Sequence, residues 1–240
     1  MTVTEISNEF DILVDSYRRF KDFDDRENLD SVEFNEYEKS IFLTKAQQEL
    51  IKQLYSGKYT SDSFEKTEDV RRYLEPLVKQ VKYTDSIQST NTLSDKFIHT
   101  AYKLPDDCWY IVLEQVQWST DSNCINGLDV EVLPVTHDTY TRTRKNPFRG
   151  PNNSRVLRLD NAESQVELVS NNNIGVYTVK YLAAPEPIVL AELSDESIDG
   201  VNTPQSSKLP ESPHHEIVDM AVRMALTSKG SNSQSNSKKS

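Results

Sequence analysis

Glycine is scarce in this chain, with six residues in 240, and so are cysteine, with two, and histidine, with four. So few glycines leave no Gly-rich loop to cradle a phosphate, and no serine sits on a GxSxG elbow. His99, His137, His214 and His215 fall in no HExxH pattern, and Cys108 and Cys124 in no CxxC pair. With His137 the two cysteines make a set one ligand short of a structural zinc site, without its paired spacing. His214 and His215 are neighbours in the first turn of a helix, where adjacent side chains point apart and share a metal poorly. No metal and no cofactor is expected. A Cys108–Cys124 disulfide is open on spacing alone, but two thiols in a chain without a secretion signal read as reduced and part-buried. His137-Asp138, beside a Thr/Tyr-rich strand, has the form of half a catalytic triad without a nucleophile to complete it. The acids of Asp22-Phe23-Asp24-Asp25-Arg26-Glu27 lack the glycine and ligand order of an EF-hand loop and read as a solvated linker. Carboxylates that meet only in space, as in glycoside hydrolysis, are not excluded by spacing. Long apolar runs are missing too: none approaches the ~20 residues that span a bilayer, and no basic stretch leads into an apolar one near Met1.

Charge is what the chain has in quantity. Thirty-eight acids against 27 bases give a net charge of -11, which argues against broad coating of nucleic acid, since phosphate neutralisation needs excess Lys and Arg. Hydrophobic residues make up 36% and mean hydropathy is -0.64. That core is lean for the length, and suits disordered ends or a subunit that completes its burial against partners. Against this acidic background the window Glu131–Asp160 stands out. It holds Arg142, Arg144, Lys145, Arg149, Arg155 and Arg158, with no acid between the first and the last. Basic residues on a solvated sheet edge that discourage strand pairing are one reading. A loop that meets DNA phosphates or an acidic subunit is the other. The N-terminal segment is its natural counterpart, with Asp22, Asp24, Asp25 and Glu27 as the candidate acidic interface. An acidic end and a basic middle suit head-to-tail contact between identical copies, which closes into a ring when the rotation allows.

Local patterns divide the chain. Ile6, Phe10, Leu13, Val14 and Tyr17 recur at helical spacing; Leu29, Val32 and Tyr37 mark a weaker second helix. Thr44-Lys45-Ala46-Gln47 has the form of a capping box, followed by Ala46, Leu50, Ile51 and Leu54 and stopped at Gly57. A helix beginning at Thr67-Glu68-Asp69 meets Pro76. A kink and a break at Glu75, with a strand from Leu77 to Tyr83, are both open, and proline chemistry favours the break. From Thr84 the residues become β-branched and aromatic: 109–118, 128–133, 156–159, 166–169 and 176–182 read as strands, with Asn171–Gly175 as a hairpin turn. Ser212-Pro213 starts a last helix, whose apolar face (Ile217, Val218, Ala221, Val222, Ala225) needs a partner that the N-terminal helices supply. The expected class is α+β: a bundle of N-terminal helices and the C-terminal helix, with an inserted antiparallel β-sandwich or barrel-like domain. The divisions are 1–83 helical, 84–193 β-rich, 194–211 loop, 212–227 helix and 228–240 flexible polar tail.

Several segments, in this order, resemble the head-to-tail adaptor or tail tubular ring proteins of short-tailed bacteriophages, and most of all the ring proteins of crAss-like phages. They are Phe42-Leu43-Thr44-Lys45-Ala46-Gln47-Gln48-Glu49-Leu50-Ile51, Leu104-Pro105-Asp106-Asp107 before an aromatic strand, Thr136-His137-Asp138, and Lys145-Asn146-Pro147-Phe148-Arg149-Gly150-Pro151. Tyr177 to Leu182 with Pro185 and Pro187, and His215 to Val222, complete the set. The resemblance implies a non-enzymatic virion protein, assembled in the host cytoplasm and placed at the head–tail junction or tail. It implies a homo-oligomeric, twelvefold ring that contacts the portal and other ring or tail proteins and gives DNA transient passage, without a membrane. A different reading of the residues is a β-domain binding module for a carbohydrate or host surface, with Trp109, Trp118 or Tyr140 as an exposed platform; a hydrolase with acids assembled in space is a third.

Overall fold

A computed structural model of the chain describes residues 1–21, 33–57, 68–87, 96–119, 129–194 and 196–236. The expected helix at Leu29 and Val32, the acids Asp22, Asp24, Asp25 and Glu27, and Cys124 lie outside the described residues. The chain forms two compact units, Met1–Leu77 with Pro185–Ser240, and Val78–Ala184.

The first unit is helical. Helix α1 (Val3–Lys21) and helix α2 (Glu36–Ser56) pack with a C-terminal helix, and a short α3 (Glu68–Leu74) packs on α2. Asn35, not Thr44, caps α2: its side chain accepts from the Glu38 amide while Glu38 reaches back to the Asn35 amide, a reciprocal capping box. At the other end Gly57 takes the left-handed conformation (φ 71°) and its N–H returns to the Gln53 carbonyl. Helix α3 stops at Leu74, a 3-10 turn holds Pro76, and strand β1 (Val78–Tyr83) follows, so the break prevails over the kink.

Thr44, far from starting a helix, lies in the middle of one and does another job. Ser40, Thr44 and Gln47 form a buried polar stripe on α2. The Leu190 amide donates to Ser40 Oγ (3.0 Å), the Ile188 amide to Thr44 Oγ1 (3.1 Å), and Gln47 Nε2 donates to the Glu186 carbonyl (2.8 Å). The stripe serves the returning segment as a neighbouring strand would, satisfying backbone groups that burial would otherwise leave unpaired. The C-terminal helix, α5 (His214–Asn236), buries Ile217, Val218, Ala221, Val222 and Ala225. It runs on past Thr227, where its composition turns polar.

The second unit is one seven-stranded sheet. After β1 come β2 (Ile98–Lys103), β3 (Cys108–Trp118), β4 (Asp129–Pro134), helix α4 (His137–Arg144), β5 (Arg155–Asp160), β6 (Gln165–Ser170) and β7 (Ile174–Ala183). Their spatial order is β1-β7-β3-β4-β5-β6-β2. All pairs are antiparallel except β4 with β5, which run parallel from Glu131↔Arg155 to Pro134↔Arg158. The expected hairpin at Asn171–Gly175 is not one: β6 and β7 do not pair, and three strands lie between them. On a flat sheet they would stand about 19 Å apart, whereas the link from Ser170 to Ile174 reaches at most about 14 Å. The sheet therefore curls into a half-barrel. Inside the curl Tyr83 of β1, Tyr102 of β2 and Tyr177 of β7 pack ring to ring, with centroids 5.0–5.8 Å apart, so the two edge strands meet through aromatic contacts.

One buried polar knot crosses this core. Arg158 of β5 pairs with Glu114 of β3, two strands away, and Tyr177 donates to the same carboxylate. Asp160 Oδ1 lies 2.9 Å from Arg158 Nε. Burial pushes the Glu114 carboxyl up from its ordinary range, opposed by the Arg158 charge. The Arg158 and Glu114 side chains are only 11% and 6% exposed.

Two outcomes follow from these bonds. Thr44→Val keeps the shape of α2 and orphans the Ile188 amide; it should cost about 1–3 kcal/mol, read as a lower urea midpoint at unchanged slope. Arg158→Met leaves Glu114 buried without its partner and should cost about 3–5 kcal/mol. The double variant Glu114→Gln/Arg158→Met should recover much of that loss. A double variant whose cost equals the sum of the costs of Arg158→Met and Glu114→Gln would show that the pair is not coupled.

Candidate subunit interface

Parallel strands cannot be joined by a tight turn, so β4 and β5 need a crossover, and here the crossover carries the basic window. It begins with α4, a helix where the Thr/Tyr-rich composition had indicated a strand. Thr136 stands in extended conformation (φ -81°, ψ 152°) before it, Asp138 lies in its first turn, and Arg142 and Arg144 in its last. That charge order suits the helix dipole. One apolar anchor holds the helix down: Tyr140, buried in a cluster with Leu157, Leu159 and Val169. His137 is spent locally, its Nε2 2.8 Å from the Asp160 carbonyl oxygen, and a hydrogen bond from Thr136 holds the Asp138 carboxyl below its ordinary range. These two residues serve the helix start.

The six basic residues do not share one role. Arg158 is consumed inside the sheet, as described. Arg155 is half-buried, donates to the Phe148 carbonyl (2.6 Å) and lies 3.9 Å from Glu131. Arg144 lies over the Tyr140 ring, 5.4 Å from its centroid. Arg142, Lys145 and Arg149 are exposed, and among the described residues no hydrogen bond or ion pair engages their side chains. So the structure divides the window: two arginines brace the crossover from beneath, one packs on α4, and three cations face outward. The acidic set proposed to meet them, Asp22 to Glu27, is outside the described residues.

Between these cations the chain makes a tight, braced loop. Asn146 Oδ1 accepts from the Phe148 amide (2.9 Å), and the Asn146 carbonyl accepts from the Gly150 amide (2.7 Å). A Cβ on Gly150 would fall 2.8 Å from the carbonyl oxygens of both Arg144 and Asn146, so only glycine lets the loop close this tightly. Phe148 at its tip is 85% exposed, the most exposed large hydrophobic side chain among the described residues.

Of the three aromatic residues expected as a platform, Trp109 is half-buried and the other two are buried. Trp118 is 4% exposed, with Nε1 donating to the Asn153 carbonyl (3.0 Å), and Tyr140 is 5% exposed; both belong to the core. Burial pushes the Cys108 thiol up to about 11, leaving it protonated and a poor nucleophile at neutral pH. Among the described residues no group of three His, Cys, Asp or Glu is placed to hold a metal ion.

Comparison with known proteins matches residues 1–238 to the family model of phage tail ring protein 3/4. Over 234 residues the chain is 38% identical to Ring protein 3 of Bacteroides phage crAss001, covering 95% of this chain and 96% of that protein. It is also 28% identical over 242 residues to Ring protein 4/5 of the same phage, covering 94% and 92%. A match that runs nearly end to end shows that the chain belongs to the phage tail ring protein 3/4 family of crAss-like phages, a non-enzymatic structural component of the virion tail.

Proposed function

We propose that this protein forms a closed twelvefold ring between the portal and the remainder of the tail, leaving a channel for DNA and docking surfaces for further tail proteins. The observation that carries the reading is the end-to-end likeness to a ring protein at 38% identity. Physical chemistry adds to it. A subunit with a lean core gains stability by burying surface against neighbours. A ring built by one repeated head-to-tail contact needs two unlike surfaces on each copy, and this chain has them in its basic crossover and its acidic remainder. A channel that passes DNA works best when it does not grip it. The excess acid therefore suits the lumen, and the outward cations Arg142, Lys145 and Arg149 suit a neighbouring subunit better than DNA.

Quantitative mass spectrometry of purified phage particles tests this. Roughly a dozen copies per virion, far below the major capsid protein, is the outcome for one closed ring. Absence from the particle would overturn the reading.

A further inference from the structure

We propose that Phe148 is the anchor of the ring contact and that it seats, in the next copy of the same chain, on the acidic groove that surrounds Ile12. The inference rests on the ring reading above and adds the two surfaces that would meet.

The donor surface is the loop 146–150. It is braced by the Asn146 side chain, by the Gly150 amide and by Arg155 on the Phe148 carbonyl. An aromatic residue held out at 85% exposure by so many local bonds has already lost the loop entropy that binding would otherwise cost. Exposed Arg142, Lys145 and Arg149 lie within six residues of the exposed Phe148, and an apolar anchor with charge near it is the composition of an interface hot spot.

The receiving surface lies in the helical unit. Glu5, Asn8, Glu9 and Ile12 of α1, with Glu211 and His215, line an open groove of about 470 Å³. Ile12 is 67% exposed, second only to Phe148 among the described large hydrophobic residues. Residues 1–17 contain Glu5, Glu9, Asp11 and Asp15 and no lysine or arginine. Some of this acid is engaged: Glu9 lies 2.7 Å from the His215 ring, Glu211 lies 3.5 Å from the amine of Met1, and Asp11, outside the groove's lining, pairs with Lys39 at 2.7 Å. Glu5 keeps its charge, its carboxyl held below the ordinary range by a hydrogen bond from the Thr2 amide.

Three arguments select a second copy as the occupant. The two most exposed apolar side chains sit one in each patch, and the patches carry opposite charge. A knob against a knob would set three cations against three, so the contact pairs the loop of one copy with the groove of another. Such a pairing of unlike surfaces, passed from each copy to the next, propagates around a ring.

The test uses the full-length chain, followed by mass photometry and sedimentation velocity over a range of concentrations. Phe148→Asp should shift half-assembly to a concentration on the order of thirtyfold higher, while circular dichroism stays unchanged because the side chain is already in water. Ile12→Asp should act in the same direction. In a background with Cys108 and Cys124 replaced by serine, a mixture of Phe148→Cys and Ile12→Cys chains should form a mixed disulfide dimer on oxidation. Either variant alone should not form that species. Rings that assemble undisturbed in both aspartate variants, without the mixed disulfide, would overturn the contact and leave the ring reading intact. A wild-type chain that stays monomeric at every concentration would also overturn a self-assembling contact at Phe148. The copy number in the virion would then judge the ring separately.

Discussion

The parallel pairing of β4 with β5 is the constraint on which the surface of the β unit depends. Every other neighbouring pair in the sheet is antiparallel. This one forces the chain to leave the sheet after Pro134, travel its length and re-enter at Arg155 in the same direction. All that is unusual about residues 131–160 follows from that detour. Tyr140 pins the outgoing helix to the sheet, Arg155 supports the returning loop, and Arg158 ties β5 to β3 across the intervening strand. The crossover is thus fastened at both ends, and what remains free is its outer edge.

Magnitudes separate the roles of charge and of Phe148 at that edge. Exposed ion pairs contribute about 0.2–1 kcal/mol each and weaken with salt, because fields between exposed charges decay over ~8 Å at physiological ionic strength. Burying a phenylalanine side chain contributes about 1.5–3 kcal/mol, comparable to several such pairs. In the proposed contact the cations would therefore set orientation and the speed of encounter, while the aromatic ring would set how long the contact lasts. This division explains why the fold braces the loop backbone and leaves the cationic side chains free: a hot-spot anchor must be placed to within a fraction of its own size, and long-range attraction tolerates motion.

Much of the architecture was legible in residue patterns, and the failures share a cause. Gly57, Pro76 and the apolar face of α5 carry signals that depend on local backbone chemistry, and each was readable. Thr44 misleads because its hydroxyl satisfies the Ile188 amide of a distant segment rather than its own helix end; no local pattern distinguishes the two uses. The real cap, Asn35 with Glu38, was visible as an Asn-x-x-Glu spacing directly before an amphipathic run. Helix α4 was hidden by its Thr-rich composition, although Asp138 at one end and Arg142 and Arg144 at the other follow the dipole. The link at 171–173 looked like a hairpin because turn residues announce a change of direction but not which strand comes next. Of the basic window, clustering was plain in the sequence. That Arg155 and Arg158 face inward depends on Phe148 and on Glu114, the latter 44 residues away from Arg158.

The lean composition and the ring family are connected by the same reasoning. A chain with net charge -11 repels its own copies unless opposite charge is concentrated where they touch. Spreading the 27 basic residues evenly would leave every surface mildly acidic and every pairing mildly unfavourable. Gathering several on one crossover makes a single orientation favourable and leaves the others repulsive, which is how specificity arises from a difference in free energy rather than from affinity alone. An assembly of identical acidic subunits gains more from that arrangement than from a broad apolar interface, because a large exposed apolar patch would also promote contacts that do not close. Among the described residues the large exposed apolar side chains are few and exposed charge is abundant, so in the proposed ring electrostatics would set the direction of assembly and one or two apolar anchors its persistence.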